Sequence, residues 1–379
     1  MGGQMKEKMK RSLDSVKSKV NTKKDDVLDR LYGASNQLNV STFNALPEKA
    51  VKAIHNMPQF NTPDGSSRLE RWYQGISKDK KVSVGEDIYM RFRKMRRRMI
   101  GAKEGVHQSP VGPIAYWETS KRNKPTVIYF HGFADNKDNA YDLAQYLVKD
   151  YHVVVPDLPG FGDSFKDRSH HYGIDSMAPW MKDFANALGI DSFHLIGHSM
   201  GGGLAIDFAK SYPDMVESLT LICSAGVLGP SKSIYDEIMA GNILFQIETM
   251  DEFEEFLHTA FYKIPFVPPF VKDYYFHDFL DHYDWYGEII RHTFEDIESR
   301  EDPRFEKKFF NHELDKIKAP CHIIWGEKDA IFPVEIADII HKGIPGSTMN
   351  IFHGVGHSPH YEKPKEVCLS LKGFLDLHS

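Results

Sequence analysis

Apolar residues in this chain gather in short runs of four or five, and most of the runs are separated by stretches with helical spacing. The runs at 114–117, 126–130, 152–156, 193–196, 219–223, 322–325 and 348–352 are rich in β-branched and aromatic residues and too short for buried helices. They predict strands. The intervening segments 139–148, 177–188 and 202–210 carry apolar residues at helical spacing and predict helices. Strand alternating with helix implies an α/β fold with a mostly parallel, doubly wound sheet. The pattern changes in two places. Between 231 and 310 the periodicity is helical throughout and the residues are largely aromatic and charged, among them Phe253, Phe256, Phe261, Tyr274, Tyr275, Trp285 and Phe294. The first hundred residues contain no run of strand type.

The loops after the strands carry the chemistry. The strand at 193–196 leads into Gly197-His198-Ser199-Met200-Gly201, and a helix follows. A serine in a tight strand-to-helix turn, flanked by glycines at two-residue spacing, has its hydroxyl pushed out above the sheet, and the helix N-terminus favours developing negative charge there. This makes Ser199 a candidate nucleophile; the plainer alternative is a serine that only caps the helix. A serine hydroxyl needs a base, and the base needs an orienting acid. With such an elbow the acid and base follow in that chain order. Asp329 follows the apolar run ending at Gly326, and His357 stands in the glycine-rich loop after 348–352. Glu327 is the rival acid, and His353 and His360 are the rival bases. The strand at 219–223 ends in Ser224-Ala225-Gly226 without an acid, which favours Asp329 one strand later. Oxyanion donors are expected from the backbone N–H of Phe133, in the loop after 126–130, and from that of Met200. His131 and His198 read as structural histidines.

These residues carry a resemblance. His131-Gly132-Phe133, Asp157 to Ser164, Gly197 to Gly202, Ile324 to Asp329, and Gly356-His357-Ser358-Pro359 with Glu362-Lys363-Pro364 resemble the α/β-hydrolases. The chain is similar, more narrowly, to the monoacylglycerol lipases of that superfamily and to related bacterial lipases and esterases. The similarity runs from about Val106 to the C-terminus. It implies an α/β-hydrolase core at 101–230 and 312–379 with a helical cap at 231–311; residues 1–100 have no counterpart in its motifs and read from their own pattern as an N-terminal helical extension. It implies a serine carboxylic ester hydrolase acting on lipid-like esters, such as a monoacylglycerol or a medium-chain acyl ester, through an acyl-enzyme and without a cofactor. An aromatic-rich cap suits an acyl chain, although such aromatics also pack a cap's own small core. The same triad serves carbon–carbon hydrolases of ring-cleavage products and cofactor-free perhydrolases. A carboxylate nucleophile, as in dehalogenases and epoxide hydrolases, is excluded by Ser199.

Composition narrows this further. The net charge of −6 argues against nucleic acid as a partner. Three cysteines, Cys223, Cys321 and Cys368, form no disulfide framework, and the first two sit in apolar runs as buried small side chains. No metal-ligand spacing and no dinucleotide fingerprint is present. The N-terminus has no apolar core of a secretory signal, and no apolar run is long enough to span a bilayer, so a cytoplasmic protein is expected. Residues 5–31 repeat apolar positions every eleven residues (Met5, Val16, Val27 and Met9, Val20, Leu31), close to the period of a straight α-helix, with lysines between them. This stripe reads as a peripheral helix on an anionic inner membrane face, a right-handed coiled coil, or a solvated tail. The run 91–98 holds six cations in eight positions and reads either as a headgroup-binding patch or as a solvated helix before the first strand.

Overall fold

A computed structural model of the chain describes residues 78–379, apart from 266, 268, 295, 296 and 298. The stripe at 5–31 lies outside the described residues. The described residues divide into two compact units, one with 78–95 and 269–274 and the other within 96–267 and 275–379. The described part of the first unit is small; in it Tyr89 stacks on Tyr274 at 4.2 Å, and the Arg93 guanidinium lies over Tyr89.

Helix α1 (Lys78–Met99) precedes a hairpin of β1 (Ala102–Ser109) and β2 (Gly112–Thr119). Then come β3 (Thr126–Phe130), α2 (Tyr141–Leu147), β4 (His152–Pro156), α3 (Ile174–Ala187), β5 (Phe193–His198), α4 (Met200–Ser211) and β6 (Val216–Ile222). The segment expected to be helical holds α5 (Ile234–Met239), α6 (Met250–Ala260), α7 (Pro269–Asp281), α8 (Tyr283–Thr293) and α9 (Pro303–Glu306). The sheet resumes with β7 (Cys321–Gly326), followed by α10 (Glu335–Gly343), β8 (Thr348–Phe352), α11 (Pro359–Glu362) and α12 (Pro364–Leu375). The strand order is β1-β2-β4-β3-β5-β6-β7-β8. From β4 to β8 neighbouring strands run parallel, while β1, β2 and β4 pair antiparallel.

The apolar strand runs are continuous because both faces of the sheet are covered. Alternate residues feed two cores. Ile128, Leu195, Leu221 and Ile323 face one cluster with Met181, Phe208 and Ile340. Val127, Val153, Ile196 and Ile324 face the other, with Leu143, Leu371 and Leu375. All seven expected strands are present. Strand β1 is an addition: Ala102-Lys-Glu-Gly-Val-His-Gln-Ser alternates between partly covered and exposed positions at the sheet edge, and its few apolar groups leave no run to read.

The basic run at 91–98 behaves differently from a uniform patch. Arg97 is buried and pairs with Asp138 and, at 2.8 Å, with Glu104. Arg96 pairs with Asp142 and lies over the Tyr141 ring at 4.1 Å. Arg91, Lys94 and Arg98 are exposed. The reading of the whole run as a headgroup patch therefore narrows to those three, because Arg96 and Arg97 are consumed as internal struts and Arg93 is buried over Tyr89. Among the described residues no helix is long and apolar enough to cross a membrane.

Candidate active site

The elbow is built from backbone contacts. A Cβ on Gly197 would lie 2.3 Å from the Gly201 carbonyl oxygen, and one on Gly201 would lie 2.3 Å from the carbonyl oxygen of Phe130 in β3. Side chains at these two positions are excluded by backbone, which cannot give way. Ser199 between them has φ 54° and ψ −121°, a conformation that L-residues seldom adopt. Its carbonyl accepts from Gly202, Gly203 and Ala225 at 2.9–3.2 Å, which holds the bend. Its side chain makes no capping bond to α4, so the simple capping role does not describe it.

Asp329 and His357 meet. His357 Nδ1–H donates to Asp329 Oδ2 at 2.8 Å, and both residues are buried. The other carboxylate oxygen, Oδ1, accepts the N–H groups of Ile331 and Phe332 at 2.9 Å each. The carboxylate is thus fixed at both oxygens, and a donating Nδ1–H leaves Nε2 of the imidazole as the acceptor nitrogen. The rivals are placed elsewhere. Glu327 accepts the Gly354 N–H at 3.0 Å and lies 3.6 Å from the exposed His353. His360 is buried, and burial pushes it down to about 3, with the nearby His357 adding to the shift. His198, beside the elbow serine, donates Nε2–H to the His357 carbonyl at 3.1 Å, joining the base loop to the elbow. Burial, then its histidine neighbours, holds His198 well below the ordinary histidine range, so it is a neutral packing group.

The loop after β3 is tied from several sides. His131 Nε2 accepts the Leu158 N–H at 2.9 Å, and its Nδ1–H donates to the Gly132 carbonyl at 2.8 Å. Ala134 has φ 52°. The Phe133 ring packs against Phe161 at 5.1 Å and against Phe245 and Tyr286 of the helical segment at 4.5 and 5.4 Å. No hydrogen bond among the described residues occupies the Phe133 N–H, and Met200 opens α4, where a helix leaves its N–H unpaired. Further along, Asp157 Oδ1 accepts the Lys137 N–H at 2.6 Å, while Oδ2 accepts Lys137 Nζ at 2.6 Å and the Asp163 N–H at 2.8 Å. The Asp163 carboxylate pairs with the same Lys137 Nζ, so both acids of the 157–164 motif are engaged around one buried lysine.

Two features of the site were not read from the sequence. Cys223, taken as an inert apolar filler, has φ 43° and sits at the end of β6 beside Asp329. Burial and then the Asp329 charge push its thiol up. Ligand-type atoms of Cys223, Asp329 and His357 lie within 4.8 Å of one another, the one group of that kind among the described residues, but both oxygens of Asp329 are already engaged. The second is Asp135, whose carboxylate accepts from Asn136 N–H at 2.8 Å, Tyr361 O–H at 3.2 Å and the Asn139 side chain. Asn139 in turn accepts from Tyr275 O–H at 2.8 Å. No local spacing brings Tyr275 and Tyr361 to the Asp135–Asn139 pair.

The strand order and the strained serine turn define the class, and comparison with known proteins agrees. A family model described as the alpha/beta hydrolase fold matches residues 125–248. The chain belongs to the α/β-hydrolase family. Within it, the chain is 30% identical over 265 residues to Lipase 1 of Psychrobacter immobilis, covering 69% of this chain and 80% of that protein. It is 30% identical to the monoacylglycerol lipase ABHD6 of Rattus norvegicus over 264 residues, 67% of this chain and 76% of the relative. Among solved structures, one described as a bacterial membrane phospholipase A superposes with a TM-score of 0.71 at 30% identity, covering 77% of this chain and 92% of that one. A meta-cleavage product hydrolase of Pseudomonas fluorescens superposes with a TM-score of 0.62 at 19% identity, covering 73% of this chain and 98% of that one, a likeness of fold alone.

Proposed function

We propose that this protein hydrolyses lipid-like carboxylic esters, such as a monoacylglycerol or a medium-chain acyl ester. The observation that carries the reading is the His357–Asp329 hydrogen bond of 2.8 Å, with Asp329 fixed from behind, beside the strained turn at Ser199. Ser199 Oγ attacks the ester carbonyl while His357 Nε2 takes its proton. Asp329 orients the imidazole and stabilises its charged form. The N–H groups of Phe133 and Met200 receive the oxyanion. His357 returns the proton to the departing alcohol, and water then attacks the acyl-enzyme with His357 again as base. The helical segment 231–311 forms a cap whose aromatic side chains meet the oxyanion loop at Phe133, which suits an apolar acyl chain. The relatives at about 30% identity are named for ester hydrolysis, which supports an ester over a carbon–carbon substrate.

The test is a p-nitrophenyl ester chain-length series beside monoacylglycerol and a ring-cleavage dienoate. Ser199→Ala, His357→Ala and Asp329→Asn are each expected to lower kcat by about 10³-fold or more, with non-additive doubles. A fluorophosphonate adduct on another serine, or faster turnover of the dienoate than of every ester, overturns the reading. Residues 5–31 and the exposed cations Arg91, Lys94 and Arg98 are proposed to hold the enzyme peripherally on an anionic, cytoplasm-facing membrane surface. Co-sedimentation with anionic liposomes should then weaken with salt and with deletion of residues 1–35.

A further inference from the structure

Glu362 belongs to a motif that the catalytic steps leave without a role. Its carboxylate collects three backbone N–H groups from two segments far apart in the chain. Oε1 accepts from Gly356 at 2.7 Å and from Tyr262 at 3.2 Å, and Oε2 accepts from Lys263 at 2.8 Å. Gly356 directly precedes His357, and Tyr262 and Lys263 follow helix α6 of the helical segment. The approach is close: a Cβ on Gly356 would lie 2.5 Å from the Tyr262 nitrogen and 3.0 Å from Glu362 Oε1.

Apart from the His198 bond to the carbonyl of His357 itself, the other ties of this loop reach it earlier and from the sheet side. Glu327 N–H donates to the Phe352 carbonyl, Lys328 N–H to the Val355 carbonyl, and Gly354 N–H to the Glu327 side chain. None of them holds residue 356. Between the sheet-side anchors and the Nδ1–H bond to Asp329, the backbone entering His357 is fixed at Gly356 by Glu362, and Glu362 is itself fixed by the helical segment. A carboxylate is suited to this place because it accepts at both oxygens and donates nothing.

We propose that Glu362 is a positioning residue that clamps the His357 loop to the segment 261–263, so that the base is correctly set only while that segment is seated. The proposal rests on the reading of His357 as the general base. Release of the segment frees Gly356 and lets the imidazole drift, and a displacement of about 1 Å at a catalytic group costs on the order of 100-fold in rate.

The experiment uses the full chain with p-nitrophenyl butyrate, active sites titrated with a fluorophosphonate. Glu362→Gln keeps the shape but turns an NH2 toward the Lys263 N–H, donor against donor. The expected result is a fall in kcat per titrated site of about 10- to 100-fold, with KM changed less than about 3-fold, and a displaced acid limb of the kcat/KM profile. A merely structural role would lower the titre and leave kcat per site and the profile unchanged, and that result overturns the proposal. Should Glu362→Gln not fold, Lys263→Pro removes one N–H donor on the helical side alone. A smaller fall in kcat per site in the same direction supports the clamp, and unchanged kcat per site overturns it. His357→Ala is the control: if it stays active, the base is misassigned, whereas if it is dead while Glu362→Gln turns over normally, only the clamp fails.

Discussion

The strand-end loops and the helical segment between β6 and β7 meet at the same site but are held by different physics. At the strand ends backbone touches backbone. The Gly197 and Gly201 positions are closed by carbonyl oxygens at 2.3 Å, and Ser199, Ala134 and Cys223 all have positive φ. In the helical segment side chain touches side chain. Phe253, Phe256, Phe279, Phe245 and Tyr286 form a chain of ring contacts at 5.0–6.2 Å, in several relative orientations. Backbone contact tolerates almost no substitution, because carbonyls cannot rotate away. Ring packing tolerates any filler of similar volume. The loops therefore demand particular residue types at fixed spacing, and the segment demands only apolar bulk.

The sharpest test of that contrast is Gly201→Ala. Its new methyl group would meet the carbonyl oxygens of Phe130 and His131 at 2.3 and 2.5 Å, so the elbow and the loop after β3 must move apart. Because both carry candidate oxyanion donors, kcat/KM on p-nitrophenyl butyrate is expected to fall by at least about 100-fold. Ordinary activity in this variant would mean that the turn is far more pliable than its contacts indicate. The matching change in the other region is Phe253→Ala. Phe253 is buried among rings, so truncation should cost about 3–5 kcal/mol in urea unfolding, and Phe253→Leu about 1–2 kcal/mol. Hydrolysis of p-nitrophenyl acetate by the folded Leu variant should stay near wild type. A dead Phe253→Leu enzyme that unfolds normally would erase the distinction between the two regions.

The same difference explains what the sequence made legible. Ser199, Asp329 and His357 each sit just past an apolar run, at a place where the backbone geometry selects glycine neighbours, and such constraints leave a mark within five residues. The sheet was legible for a related reason: strands covered on both faces are continuous apolar runs, and only the edge strand β1, with Lys103, Glu104 and Gln108, escaped. What stayed hidden was pairing at long range. Six cations at 91–98 look alike in sequence, yet Arg97 is buried against Asp138 and Glu104 while Lys94 and Arg98 are exposed. Nothing local distinguishes a strut from a surface charge. The roles of Asp135, Glu362 and the Cys223 thiol were missed on the same ground, since a defining partner of each is remote: Tyr361 for Asp135, Lys263 for Glu362, and for Cys223 the loop that follows the next strand.

A smaller effect is expected where the two regions touch. Phe245 lies 4.5 Å from Phe133, ring centre to ring centre, so Phe245→Ala should open space next to the loop after β3, the candidate oxyanion loop, without altering the elbow. If the acyl chain runs that way, the decanoate-to-butyrate ratio of kcat/KM should rise several-fold, since each additional buried methylene contributes about 0.8 kcal/mol. An unchanged ratio would send the acyl chain along a different wall.

The last prediction moves along β7, away from the end that leads to Asp329. Asp329 follows this strand, and His322 lies near its start, buried, with ring nitrogens 2.7 Å from Thr348 Oγ1 and 2.8 Å from Ser370 Oγ. Burial pushes His322 down to about 4. In the unfolded chain a histidine titrates near 6.5. Between those values the unfolded state binds a proton that the folded state refuses, so stability falls as the pH drops from about 7.5 toward 4 and this contribution levels off below. At pH 5.5 the loss from one such residue is about 1 kcal/mol. His322→Gln can keep amide hydrogen bonds to Thr348 and Ser370 but cannot titrate. Urea midpoints at pH 7.5 and 5.5 should therefore converge by about that amount in the variant, while its ester hydrolysis at pH 7.5 stays unchanged because no reacting atom is near. Other buried histidines, such as His360 and His194, add their own acid sensitivity to both proteins and cancel in the difference. An identical pH slope in both would mean that His322 is charged in the fold. A loss of activity at pH 7.5 would mean that the far half of the strand is as tightly bound to catalysis as the loop at its end.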